Sequence, residues 1–200
     1  MTDPRNVAIF IFTDVEVLDF AGPFEVFNVA GEQVDPRPFN TYTVAQTSAP
    51  VKARGDLTIV PHYSIQDMPK PDVLLIPGGK GTRPLLHERD IIDWIKAQHA
   101  EVERLLSVCT GALLLGKAGL LDGLEATTHH GSFDLLRQLS PTTTVHENKR
   151  YVDNGKIVTS GGISAGIDMA LHIVNQLAGA DAVKTVTKEM EYTWAPLETE

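Results

Sequence analysis

Cys109 is the one cysteine in 200 residues. It stands in Arg104-Leu105-Leu106-Ser107-Val108-Cys109-Thr110-Gly111-Ala112-Leu113-Leu114-Leu115-Gly116. Thiolate is the reactive form of cysteine, and a helix N-terminus lowers the pKa of a thiol placed there. Leu105, Leu106 and Val108 read as a buried strand, and Ala112 to Leu115 as the opening of a helix. A strand turning sharply into a helix pushes the corner side chain into a cleft, where the N–H groups of the new helix point. That is the geometry of a nucleophile elbow, half matched here. Gly111 lies two residues after Cys109, but Ser107 occupies the place two residues before it. The competing reading of a lone cysteine is a small buried hydrophobe.

Three other segments carry groups that can serve such a nucleophile. Asp19 follows the first apolar run and would face the same cleft as Cys109 if it lies at a strand's carboxyl end. A carboxyl whose pKa is raised by burial works as general acid or base, and when protonated it can hydrogen-bond a thiolate. The plainer use of Asp19 is as a helix cap. Gly78-Gly79 ends another apolar run, and backbone N–H groups of Gly79 and Thr110 would make an oxyanion hole beside Cys109. The alternative is an ordinary turn. His129 would orient or deprotonate Cys109, as Cys–His pairs do. His130 competes for that role, and a histidine bonded only to backbone is the other reading. Adjacent residues of a strand point opposite ways, so the two imidazoles are expected to diverge.

Metal and nucleotide chemistry find no support. The seven histidines show no ligand spacing with Cys109, and there is no Walker loop and no Rossmann glycine fingerprint. No cofactor and no metal are therefore expected.

The elements that must position these groups alternate. Strands are expected at Val7–Phe12, Phe39–Gln46, Leu57–Val60, Asp72–Gly79, Leu105–Val108, Ala126–His130 and Lys156–Ser160, with shorter ones near Thr144 and Tyr151. Helices are expected at Ala21–Ala30 with Pro23 in the first turn, Arg83–Ala100, Ala112 onward, Phe133–Leu139 capped by Ser132, Ser164–Ala178 and Asp181–Met190. Pro61 to Pro71 reads as loop. This alternation predicts an α/β fold with a mostly parallel, doubly wound sheet in one domain spanning residues 1–200. Such sheets bind ligands at the carboxyl ends of their strands, where Asp19, Gly79, Cys109 and His129 all fall.

Composition sets the outer bounds. At 42% apolar and 22% charged the chain is ordinary for a globular protein with a sizeable core. A net charge of −9 speaks against a nucleic-acid partner. One cysteine forms no internal disulfide. The polar start lacks a signal-peptide pattern, and no apolar run reaches membrane-spanning length. A soluble, cytoplasmic protein without membrane contact is expected.

The motifs together resemble a known family. Leu18-Asp19-Phe20-Ala21-Gly22-Pro23-Phe24-Glu25-Val26-Phe27, Leu75-Ile76-Pro77-Gly78-Gly79, Val108-Cys109-Thr110-Gly111-Ala112, Ala118-Gly119-Leu120-Leu121-Asp122-Gly123, Ala126-Thr127-Thr128-His129 and Gly161-Gly162-Ile163-Ser164-Ala165-Gly166-Ile167-Asp168 are similar to those of the DJ-1/PfpI (ThiJ) superfamily. The likeness is strongest to its isonitrile hydratase branch and extends to the amidase-like domain of AraC-type regulators. It implies a flavodoxin-like sandwich, a homodimer, Cys109 on the elbow and Asp19 as the acidic residue beside it. Protease-like members have histidine directly after the cysteine, and Thr110 holds that place here. The branch implies a hydratase (a lyase) acting on a small-molecule isonitrile through a Cys109 thioimidate. Asp19 would be its acid/base, Thr110 would hold substrate or water, and His129 would support from behind. Other readings are a DJ-1-like glyoxalase, a cysteine redox sensor, and a ligand-binding protein that keeps the elbow only as architecture. The regulators end in a helix-turn-helix for which the stretch up to Glu200 leaves no room, so no nucleic acid is expected.

Overall fold

In the computed structural model, which describes residues 3–195, the first apolar run forms β1 (Arg5–Phe10), with Val7 to Phe10 fully buried. A strand apolar at consecutive positions is covered on both faces, and this one lies inside a sheet. Among the described residues the main sheet has seven strands. They are β1, β2 (Phe39–Ala45), β5 (Tyr63–Ser64), β6 (Val73–Ile76), β7 (Arg104–Val108), β10 (Tyr151–Asp153) and β11 (Ile157–Ser160). Their order is β10-β11-β7-β6-β1-β2-β5. All neighbours are parallel except β10, which runs antiparallel to β11. Two small ribbons lie outside it, the antiparallel pair β3 (Val51–Lys52) and β4 (Thr58–Ile59), and the parallel pair β8 (Glu125–Ala126) and β9 (Thr144–Val145).

From β1 the chain builds outward through β2 and β5, then returns to the other side of β1 and builds through β6, β7 and β11. The order therefore reverses between β1 and β6, and the crevice at that switch point opens at the carboxyl ends of both. Helices fall into two packed groups. On one side α1 (Val17–Gln33) packs against α6 (Ala165–Ala178) and α7 (Ala180–Glu189). On the other, α4 (Gly111–Lys117) packs against α2 (Thr82–Leu85), α3 (Arg89–Glu101) and α5 (Phe133–Leu139). The doubly wound, flavodoxin-like α/β architecture is as the alternation and the motifs imply.

Several local expectations are corrected. α1 starts at Val17, not Ala21, so Asp19 sits in its first turn rather than in a preceding loop. Asp19 does not cap it either; the N-cap position is Glu16, without a side-chain cap bond. Pro23 consequently lies inside the helix, and lacking an N–H it leaves the Asp19 carbonyl without the donor that would close its turn. The single helix expected over Arg83–Ala100 is two. The backbone N–H groups of Leu86, His87 and Glu88 close back onto Thr82, Pro84 and Leu85, and extended Glu88 restarts the chain as α3. Tyr63–Ser64, read as loop, is a two-residue edge strand too short for a period of two to register. The strand expected to run through His130 stops at Ala126.

No helix among the described residues is long and apolar enough to cross a membrane.

Candidate active site

β7 ends at Val108, and Cys109 turns the corner with φ of +57°, the left-handed region that non-glycine residues rarely adopt. Its neighbours hold that conformation from every side. The Cys109 N–H donates to the carbonyls of Ser160 (3.0 Å) and Gly161 (3.2 Å), and its carbonyl accepts from the Thr128 hydroxyl at 2.6 Å. Strained backbone persists where the surroundings over-determine it, commonly at functional sites. α4 then starts at Gly111, where a Cβ would stand 2.1 Å from the Ile76 carbonyl oxygen. Only glycine lets the elbow lie so close over the end of β6.

β6 delivers Gly78 and Gly79 to the same edge. The Gly78 N–H donates to Asp19 Oδ2 at 3.0 Å. That bond ties the first turn of α1 to the end of β6, and the Glu16 N–H, donating to the Gly78 carbonyl at 2.9 Å, doubles the tie. Asp19 is fully buried, and its other oxygen, Oδ1, has no conventional hydrogen-bond partner. The carboxyl and the Cys109 thiol act on each other's titration. Burial pushes Asp19 up from 3.8 to about 7, against the lowering effect of the Cys109 thiol and the Gly78 N–H; the Glu16 charge adds a smaller push upward. The Cys109 thiol is likewise pushed up, first by burial and then by the negative charge of Asp19, which together outweigh the Thr110 N–H and hydroxyl. The helix N-terminus does not by itself yield a low-pKa thiol here. Near neutrality the thiol keeps its proton while the carboxyl titrates, and the ionised carboxylate opposes a second charge on sulfur.

Thr110 closes the other side. Its hydroxyl accepts from the Gly79 N–H at 2.9 Å and from the Thr82 hydroxyl at 3.2 Å, and Arg83 donates to Thr82 Oγ1 at 3.0 Å. The expected oxyanion hole is thus not open. The Gly79 N–H is taken by the Thr110 hydroxyl, and the Thr110 N–H favours charge on the sulfur.

His129 and His130 do not diverge. Past Ala126 the chain leaves the strand, and Thr127 and Thr128 turn their bonds to Thr159 and Cys109. His129 then caps a 3₁₀ turn over His130–Ser132, its Nδ1 accepting from the Gly131 N–H at 3.2 Å. The two imidazoles face each other with centroids 4.1 Å apart. No hydrogen bond joins His129 to the thiol among the described residues. The ring and the sulfur instead flank Gly162, where a Cβ would lie 2.6 Å from His129 Cδ2 and 3.1 Å from Sγ. Gly162→Ala is therefore expected to slow alkylation of Cys109 by iodoacetamide roughly tenfold through displaced geometry, with little change in melting temperature. An unchanged alkylation rate would show that the space beside Gly162 is not used. Ser132 holds the N-cap position of α5 as expected but makes no side-chain cap bond; its hydroxyl accepts from Arg83 at 3.0 Å.

The thiol opens into a cavity of about 350 Å³ lined by Gly79, Thr110, His129 and Ile163, with Glu16, Arg54, Lys80 and Arg83 among its charged residues. Sequence reasoning missed Glu16, Arg54 and Ile163. They come from connections whose pose depends on turn bonds, such as Arg54 N–H to the Val15 carbonyl (2.9 Å), and no periodicity marks them. No group of three or more His, Cys, Asp or Glu among the described residues could hold a metal.

The DJ-1/PfpI family pattern matches residues 5–176 and so takes in β1, the Gly78-Gly79 end, the elbow and most of α6. The chain belongs to this family. Among DJ-1/PfpI relatives, the isonitrile hydratase of Pseudomonas putida is 37% identical over 192 residues, covering 96% of this chain and 80% of that protein. The HTH-type transcriptional regulator GbdR of Pseudomonas aeruginosa is 23% identical over 190 residues, and there the match covers 95% of this chain but 51% of the regulator. A ThiJ/PfpI family protein from Pseudomonas syringae superposes with a TM-score of 0.86 at 27% identity, covering 98% of this chain and 78% of that one.

Proposed function

We propose that this DJ-1/PfpI chain is a cysteine-dependent hydratase (a lyase) of a small electrophile, converting an isonitrile to an N-substituted formamide. The observation that supports it most is Cys109 in strained backbone on the elbow together with the fully buried carboxyl of Asp19, pushed up to about 7. The 37% identity to an isonitrile hydratase points the same way.

The chemistry follows from that pair. Asp19 as carboxylate accepts the thiol proton while Sγ bonds to the terminal carbon of R–N≡C, so no resting thiolate is needed. The proton passes from Asp19 to that carbon, giving an enzyme-bound thioimidate, –S–CH=N–R. Asp19, a carboxylate again, takes a proton from water as the water oxygen adds to the same carbon, and that proton is delivered to nitrogen. The C–S bond then breaks with its electron pair on sulfur, which recovers the hydroxyl proton through Asp19. The balance is R–N≡C plus H₂O to R–NH–CHO. The Thr110 N–H favours negative charge on the sulfur, which appears as the thioimidate forms and again as it departs. The Thr110 hydroxyl, fixed by Gly79 and Thr82, holds water or substrate, and His129 walls the cavity.

The test is a panel of isonitriles, methylglyoxal and simple amides, run on wild type and Cys109→Ala. Isonitrile loss is followed by infrared absorbance, and methylglyoxal conversion by lactate. Turnover of isonitrile with formamide as product supports the reading; lactate without formamide would replace it with a glyoxalase. An inert thiol with no turnover of any member would leave the elbow as architecture.

A further inference from the structure

Resting on the reading of Cys109 as the attacking group, we infer that the electrophile carries a carboxylate or similar anion a few atoms from its reacting carbon, and that Arg83 and Lys80 select it. The chain as a whole is strongly acidic, at −9, yet the mouth of the Cys109 cavity is not. Its charged lining is Glu16, Arg54, Lys80 and Arg83. Glu16 and Arg54 neutralise each other in an ion pair at 2.5 Å. Lys80 and Arg83 have no carboxylate partner among the described residues, so two uncompensated cations face the cavity.

That is unusual for an arginine in this protein. Of its eight arginines, Arg5, Arg54, Arg89, Arg104, Arg137 and Arg150 pair with carboxylates. Arg37 is spent on the Phe39 carbonyl and the Asn40 amide oxygen. Arg83 is held instead by two neutral hydroxyls, Thr82 and Ser132, both at 3.0 Å. Those bonds fix the direction of the guanidinium without cancelling its charge. A pre-oriented guanidinium with donors to spare is the group that recognises carboxylates.

Its field reaches the reacting end. His129 is held below the ordinary imidazole value by burial first, then by His130 and then by Arg83. Thr82 and Thr110 link Arg83 to the elbow through hydroxyls, so clamp and nucleophile belong to one rigid set. Arg83, Lys80 and Cys109 line one cavity of about 350 Å³, the size of a small-molecule site, so one ligand reaches both the cations and Sγ.

Two measurements on the full chain test this. The first compares alkylation of Cys109 by iodoacetate and by iodoacetamide, reagents of one size and different charge, followed by intact mass. The ratio of iodoacetate to iodoacetamide rates is expected to be roughly tenfold higher in wild type than in Arg83→Gln or Lys80→Gln. Arg83→Lys should restore part of it, and Arg37→Gln should leave it unchanged. The preference should shrink at about 0.5 M salt, where screening acts within a few ångströms. The second measures binding of N-formylglycine and N-formylglycinamide by calorimetry, with the acid expected roughly tenfold tighter. Equal ratios in wild type and Arg83→Gln, or no preference for the acid, would overturn the charge selection and leave the nucleophile standing. Failure of both reagents at Cys109 with a retained preference for N-formylglycine would overturn the nucleophile and leave the selection standing.

Discussion

Replacing Asp19 with asparagine is expected to abolish most activity and to stabilise the protein at alkaline pH. The loss of turnover follows from the role of the carboxyl in every proton transfer; removing a general acid/base lowers the rate roughly 10²–10⁴-fold. Asparagine keeps an oxygen to accept the Gly78 N–H but cannot take the thiol proton. In the wild type, alkylation of Cys109 should rise with pH as Asp19 ionises near 7, and that inflection should vanish in Asp19→Asn. The stability effect has the opposite sign. Asp19 titrates at about 7 in the fold and near 3.8 unfolded, so between those values the native state holds the extra proton. Stability therefore falls as pH rises through that window, and above it the buried charge costs up to about 4 kcal/mol. Asparagine carries no such cost. Its melting temperature should exceed the wild type's by on the order of 10 °C at about pH 8 and match it at about pH 3.5. A variant less stable than wild type at the higher pH would mean that Asp19 is an ordinary ionised carboxylate, and the mechanism above would lose its base.

Cys109→Ala is expected to remove turnover to background, a fall of roughly 10³-fold or more, because no other thiol lines the cavity. The substitution also reports on the pair. The Cys109 thiol lowers the Asp19 value, so its removal should push the Asp19 titration still higher. Carboxyl titration followed by isotope-edited infrared spectroscopy in wild type and Cys109→Ala would read this directly. An unchanged midpoint would mean that the two groups do not act on each other's titration. Mass spectrometry of wild type during turnover should show the thioimidate adduct on Cys109, absent from the variant.

Segments differ in how plainly their residues declare the fold. The runs that form β1, β6 and β7 are legible because a central parallel strand is buried on both faces and so reads as a near-continuous apolar run. The elbow is legible for a related reason. Gly111 is required where α4 crosses the Ile76 carbonyl, and small residues at a strand–helix corner are visible as text. The break in the helix expected over Arg83–Ala100 is not legible, because hydrophobic spacing continues across the turn at Leu86–Glu88 while the backbone does not. Ser132 has the residue type of a cap, but its hydroxyl is taken by Arg83 from a distant segment.

The amino-acid sequence by itself determined the alternation of strands and helices, hence the sheet edge at which Asp19, Gly79 and Cys109 meet. Those are properties of local composition and spacing. Only the tertiary structure decided what the meeting does. The Asp19 value of about 7 comes from burial under segments far away in sequence, and burial is not a property of any window of residues. The turning together of His129 and His130 depends on a 3₁₀ turn capped by the first imidazole, and the spare charge of Arg83 depends on which hydroxyls reach it. Residue type alone makes Cys109 a lone thiol at a predicted corner. The fold places it in strained backbone, where burial and the Asp19 charge rather than the helix N-terminus set its titration.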